Sequence, residues 1–195
     1  MPCEFFESFY PVRVERLALR PDSGGPGQFR GGLGYRKEIR FLAEGFIMVA
    51  DDRMLLQPFG AAGGEAGSGS LYTLNPETDR ELSIPNKTDF VPIKSGDLLR
   101  IQTPGGGGWG DPLDREPEKV LQDVTLGRVS LDAARHSYGI VIDRDSMRVL
   151  ENETDQERRK LRDSRAPLRI IDRGERFRKL LAEERIFLTS EDPVL

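Results

Sequence analysis

Apolar residues over roughly positions 8 to 103 recur mostly at every second place, the period of strands buried on one face. Val12, Val14, Leu17 and Leu19 keep that alternation with one slip between Val14 and Leu17, as a β-bulge would cause. Tyr35, Ile39 and Phe41 share one face of a second strand, and Lys37 breaks its pattern. Phe46-Ile-Met-Val-Ala50 is apolar throughout and predicts a central strand covered on both faces. Leu71-Tyr-Thr-Leu74 and Glu81-Leu-Ser-Ile84 flank a six-residue loop, Asn75 to Arg80, and predict a hairpin. Leu99, Ile101 and Thr103 alternate as a last strand that leads into four consecutive glycines.

Beyond Pro112 the period lengthens towards that of helices. Pro117 suits a first helical turn, Val120, Leu121 and Val124 fall on one face, and Gly127 suits the C′ position. Ser130 is placed to cap a short helix through Leu131 and Ala134 that closes at Gly139. Ile140-Val-Ile142 reads as a short strand. From Arg144 the chain is highly charged, with candidate helices near 154–165 and 173–186, the latter carrying Phe177, Leu180, Leu181 and Ile186 on an apolar stripe. The pattern predicts an α+β fold. A mostly antiparallel β-region with two short helices occupies 1–143, and a charged helical tail follows over 144–195, to pack back on it or lie along a partner.

Composition narrows the chemistry. A chain of 195 residues with 37% hydrophobic and 32% charged residues can bury one core. It has no run of about 18 apolar residues to cross a membrane, and its first residues lack the basic flank and apolar core of a secretory signal. With one cysteine, Cys3, the expected location is cytoplasmic. A net charge of -4 argues against nucleic-acid binding. The single histidine, His136, cannot supply the two or three imidazoles of a usual catalytic zinc or iron site, so no metal is expected on this chain alone. Cys3 has no activating base in view.

Three glycine loops stand out: Arg20 to Gly34, Phe59 to Gly67, and Thr103-Pro-Gly-Gly-Gly-Gly-Trp-Gly-Asp-Pro112. Glycine loses more backbone freedom on folding than any other residue, so a folded run implies positive φ or close backbone approach. Gly105, Gly107 and Gly110 match the spacing of a dinucleotide fingerprint, but Asp111-Pro112 prevents the helix that must follow. No lysine followed by serine or threonine makes a phosphate loop of the Walker type. Two options remain, a backbone-lined pocket or a tight structural crossing. Asp51-Asp52-Arg53 could bind a cation or form a surface turn. Arg20, Asp22, Arg30 and Arg53 could brace the loops as ion pairs or cradle an anion. Trp109 could serve as a lid or pack on the glycine backbone.

The run Arg20 to Gly34, then Gly96-Asp-Leu-Leu-Arg-Ile-Gln-Thr-Pro-Gly-Gly-Gly-Gly-Trp-Gly-Asp-Pro112, resembles the C-terminal part of the hydantoinase B/oxoprolinase family. The likeness continues through Glu118-Lys-Val, Gly127-Arg-Val-Ser130 and Tyr138-Gly-Ile-Val141. The resemblance implies an ATP-dependent scheme in which a hydantoinase A-type ATPase subunit phosphorylates an amide or enol oxygen. The B part then directs water, or carboxylation, at the activated carbon. It also implies that ATP and a divalent metal belong to partner chains or to the hydantoinase B N-terminal portion, or to a second B-type chain. Here the chain is expected to be a split subunit or fragment, inactive alone and part of a hetero-oligomer, that completes the site where a phosphate-activated cyclic amide is hydrolysed. An acetone or acetophenone carboxylase component, or a non-catalytic assembly subunit, are the alternatives. No catalytic residue follows from the resemblance. Candidates for contact with substrate or partner are Arg20, Asp22, Gly24, Gly25, Arg30, Gly31, Gly32, Arg53, Gly105, Gly106, Gly107, Gly108, Trp109 and Asp111.

Overall fold

The computed structural model describes residues 2–183 and 185. The chain opens with α1 (Cys3–Phe9), β1 (Val12–Leu19), β2 (Tyr35–Phe41), β3 (Gly45–Ala50) and the short β4 (Gly60–Ala61). It continues through β5 (Leu71–Leu74), β6 (Leu82–Ser83), β7 (Lys87–Ile93) and β8 (Leu98–Gln102). A 3-10 turn (Pro112–Asp114) then leads to α2 (Pro117–Thr125), α3 (Leu131–Tyr138), β9 (Ile142–Asp143) and β10 (Arg148–Val149). The last described elements are α4 (Glu151–Ser164), β11 (Ile171–Asp172) and α5 (Gly174–Ala182). The class is α+β.

The main sheet has five antiparallel strands in the order β1-β2-β8-β5-β6. Its register slips between Val14 and Arg16, where the sequence alternation slips, so Val12, Val14, Leu17 and Leu19 stay on one face despite the extra residue. That inner face carries Ile39, Phe41, Leu74 and Leu99, buried with Val12, Val49, Ile84 and Ile93 in one core cluster. Val49 and Ile93 come from the antiparallel ribbon β3-β7, which lies over the face as a second layer. The outer face is a ladder of charge. Arg36 and Arg100 both pair with Glu38, Arg100 reaches on to Glu77, and Arg40 holds Glu15.

The ribbon corrects one expectation. The run 46–50 is not a central strand buried on both faces, for among the described residues β3 pairs only with β7. Val49 is buried, but Phe46 is 67% exposed and Met48 71%. A fully apolar run carries no period and so cannot reveal which face is covered. The predicted hairpin forms, with Thr73 opposite Ser83 and Leu74 opposite Leu82, so the strand starts after Glu81. The expected strand 140–142 is reduced to β9, since Ile140 is wholly buried in the helical core. Helix α1 was not foreseen in an aromatic-rich segment without a capping side chain.

The helical signals fared well because each rests on local chemistry. Pro117 is in the first turn of α2, and Ser130 caps α3 by accepting from Ala133 N at 3.0 Å. Gly139 ends α3 at φ 64°, a left-handed value that an L side chain adopts at a cost. Val120, Ala134, Tyr138 and Ile140 form a second core. The charged segment after Asp143 folds back. Arg158 of α4 donates to the Tyr138 carbonyl at 3.2 Å, and β11 pairs with β4. Phe177 and Leu180 of α5 are buried. Ile186 lies outside the described residues.

Candidate functional site

The three glycine loops meet. Segment 105–109 runs through a sheath made by residues 23–34 and 59–68, joined by backbone hydrogen bonds. Gly25 N donates to Gly106 O, Gly106 N to Gly32 O, and Gly108 N to Glu65 O, all within 2.9 Å. Phe29 and Trp109 exchange both backbone bonds at 2.9 Å. The separation leaves no room for side chains. A Cβ on Gly105 would stand 1.9 Å from Ser23 O, on Gly107 1.8 Å from Phe59 O, and on Gly31 2.0 Å from Gly106 O. Of the glycines in 105–110, only Gly110 has positive φ, at 75°. The run is therefore needed for close approach, not for left-handed backbone.

This geometry decides between pocket and crossing. A phosphate-cradling loop aims free N–H groups at one point. Here the donors of Gly25, Gly31, Gly105, Gly106 and Gly108 are taken by neighbouring carbonyls. Gly24, Gly25, Gly31, Gly105 and Gly108 are buried in the crossing, while Gly32, Gly106 and Trp109 reach its exposed rim. Trp109 is 53% exposed and meets Phe29 at a ring distance of 5.7 Å, so it packs beside the crossing.

The polar candidates do not converge. Arg20 donates from Nη1 to the carbonyls of Gly69 at 2.7 Å and Thr103 at 3.2 Å, tying the segment before β5 and the start of the four-glycine loop to the end of β1. Burial lowers its pKa. Asp22, at φ 57°, accepts from Ser130 N at 2.8 Å and so joins the first glycine loop to α3. Asp51 accepts from Arg53 N at 3.0 Å and binds the Ser70 hydroxyl, which makes 51–53 a turn. Arg53 lines an apolar cavity of 280 Å³ with Leu56, Phe59 and Phe177. His136 is exposed on α3, its Nδ1 at 2.9 Å from the Asp132 carbonyl.

Arg30 leads to the charge centre that sequence reasoning missed. Its guanidinium forks onto Asp123 of α2, Nε to Oδ2 at 2.9 Å and Nη2 to Oδ1 at 3.2 Å. Arg115 Nη2 joins at 2.9 Å and also donates from Nη1 to the Gln28 carbonyl at 3.0 Å, while Arg128 stands 3.6 Å away. The carboxylate is buried, with side-chain exposure of 5%. Burial alone would raise its pKa, but the Arg30 hydrogen bonds, then the Arg30 and Arg115 charges, hold it below the usual carboxylate range. A signal was available: Asp123 shares the apolar helix stripe of Val120 and Val124, and a carboxylate there needs cations.

Asp111 ends the four-glycine loop with two tasks. Its Oδ1 accepts from Leu113 N at 2.9 Å, capping the 3-10 turn. Arg165 clamps it from α4's end, Nη1 to Oδ1 at 2.7 Å and Nη2 to Oδ2 at 2.5 Å. Arg165, then backbone and Arg162, overcome the effect of burial and lower the Asp111 pKa. We expect Arg165→Ala to speed amide exchange at Ala62, Gly63 and Ile171 by about tenfold or more, as loss of a charge-assisted pair allows. Unchanged exchange there would show that the pair does not hold the segment down.

No group of three or more His, Cys, Asp or Glu among the described residues could hold a metal ion. The N–H groups of Gly25, Gly31, Gly105, Gly106 and Gly108 are spent internally, and no described helix is long and apolar enough to cross a membrane.

Comparison with known proteins bears on family and fold. The family model for hydantoinase B/oxoprolinase matches residues 1–112. The putative B component of a D-/L-hydantoinase from Pseudomonas sp. (strain NS671) is 40% identical over 142 residues, covering 72% of this chain and 24% of that protein. The crystal structure of an ATP-dependent caprolactamase from Pseudomonas jessenii superposes with a TM-score of 0.71 at 35% identity, covering 81% of this chain and 28% of the other. A nucleotide-free acetone carboxylase shares the fold alone, at 19% identity and TM-score 0.62 over 95% of this chain and 28% of the other. The chain thus spans about a quarter of the length of each of these relatives.

Proposed function

We propose, from the premise that the chain belongs to the hydantoinase B/oxoprolinase family, that it is one structural portion of an ATP-dependent cyclic-amide hydrolase. It completes the site where a phosphate-activated cyclic amide meets water. It supplies rigid form, and the reacting groups sit elsewhere. The single observation that carries this reading is the glycine crossing. Motif glycines such as Gly25, Gly31, Gly105, Gly107 and Gly108 stand at contact with one another's backbone, and 105–109 is locked to two other loops. Such a body can hold one wall of a composite site within a fraction of an ångström.

ATP and the divalent metal are accordingly assigned to a hydantoinase A-type ATPase subunit and to a hydantoinase B N-terminal portion or second B-type chain. The assembly is a cytoplasmic hetero-oligomer. The test is reconstitution. This chain is combined with the A-type and B-type chains of its own source, and ADP release is followed with hydantoin, 5-oxoproline or caprolactam. Cyclic-amide-dependent ATP hydrolysis is expected only when this chain is present. Turnover that persists at full rate without it would sink the reading. Turnover with a ketone that requires bicarbonate would instead assign the assembly to carboxylation.

A further inference from the structure

The inner face of the main sheet is only half covered. Register places Val12, Val14, Leu17 and Leu19 of β1 beside Phe41, Ile39, Lys37 and Tyr35 of β2 on that face. Ile101 and Tyr72 continue the Lys37 row across β8 and β5. The β3-β7 ribbon covers the Val12 end, and the cover then stops. Leu17 is 58% exposed, Leu19 60% and Tyr35 44%. The outer face, by contrast, is finished for water with its ladder of arginines and glutamates.

What lies over the open end is slight. Helix α1 buries none of its residues, and Phe5 and Phe9 are themselves exposed. It touches the face through Phe6, whose ring carries the Lys37 ammonium at 4.4 Å, which explains the lysine on an apolar row. Grooves of 390 and 500 Å³ open on either side of that stack. The first is lined by Phe6, Tyr72 and Ile101, the second by Leu17, Leu19 and Tyr35. A contiguous apolar face of this kind is the mark of a surface that another layer covers.

We propose that this open end is the docking surface for the part of a hydantoinase B-type protein that the chain does not span. The proposal rests on the reading of the chain as one portion of such an enzyme. The relatives carry about three-quarters of their length outside the matched segment, ample for a layer that closes the face. The occupant is an apolar layer bearing one acceptor, a carboxylate or carbonyl, opposite Lys37, because a covered ammonium needs a partner. A second copy fits poorly. A two-fold contact through this face would set two Lys37 side chains near each other.

The test uses the full chain in its source cells, with a photo-crosslinking residue at Leu19 on the open face or at Arg13 on the outer face. Mass spectrometry should identify a hydantoinase B-type chain joined at position 19 and absent at 13. In parallel, Leu19→Glu should cut the copurifying B-type chain by about tenfold or more, with the variant's melting temperature close to that of the wild type because Leu19 is exposed. Capture of the B-type chain only at position 13, or full copurification with Leu19→Glu, overturns the surface and leaves the functional reading standing. A second copy captured at 19 also overturns it. No hydantoinase-type chain at either position, with none copurifying, overturns both.

Discussion

Gly107→Ala is expected to leave the chain without a cooperatively folded glycine crossing, a loss on the order of 4 kcal/mol or more. The new methyl carbon would sit 1.8 Å from the Phe59 carbonyl oxygen and 2.4 Å from its carbon. These obstacles are backbone, so no rotamer change relieves them. The segment could retreat only by breaking neighbouring bonds such as Gly106 N to Gly32 O and Gly108 N to Glu65 O. Overpacking usually costs about 1–3 kcal/mol because side chains yield, and here nothing can yield cheaply. Gly32→Ala is the control. It belongs to the same motif, yet a Cβ there meets nothing within 4 Å, and φ is not positive. Its stability should stay within about 0.5 kcal/mol of the wild type. Urea unfolding of both variants decides the matter. Equal midpoints would show that the glycines are not held at backbone contact.

Much of the architecture was legible because local rules happened to be sufficient. The slip between Val14 and Leu17 marked the bulge, since only an extra residue keeps both leucines on the valine face. Pro117, Ser130 and Gly139 fixed helix ends through chemistry carried by single residues. The glycine loops were recognisable as costly, with a crossing as one of the two options they left open. Choosing between pocket and contact requires knowing that residues 105–109 meet 23–34 and 59–68, a long-range fact with no local trace. The same limit applied to Arg20, Asp22, Arg30 and Arg53. Their residue types suggested an ion-pair brace or an anion cradle, whereas the fold sends Arg20 to carbonyls, Asp22 to α3 and Arg30 to Asp123. The apolar run 46–50 misled for a related reason. Its outward residues Phe46 and Met48 face solvent on a two-stranded ribbon, and hydrophobicity by itself does not say what covers a face.

Asp123→Asn should cost about 3–5 kcal/mol, the usual penalty for removing one partner of a buried ion cluster. Asparagine preserves shape and can still accept from Arg30, so the loss comes from charge. The guanidiniums of Arg30 and Arg115, with side-chain exposures of 13% and 11%, would face each other uncompensated, with Arg115 Nε already lacking a hydrogen-bond partner. The cluster ties the first glycine loop to α2, so its loss should loosen residues 28–31 first. Acid should imitate the substitution. The folded-state pKa of Asp123 lies below its unfolded value of about 3.9, so the folded state prefers the ionised form. Its contribution is then fully present above about pH 3.9 and is lost as pH falls through the lower folded value. Wild type and Asp123→Asn should accordingly differ most near neutrality, and their stabilities should converge as pH drops below about 3.9. The same titration carried out by urea midpoint on both proteins measures this directly. A gap that stays constant down to about pH 2 would mean that the carboxylate acts through packing alone, and that charge does not bind the glycine loop to the helices.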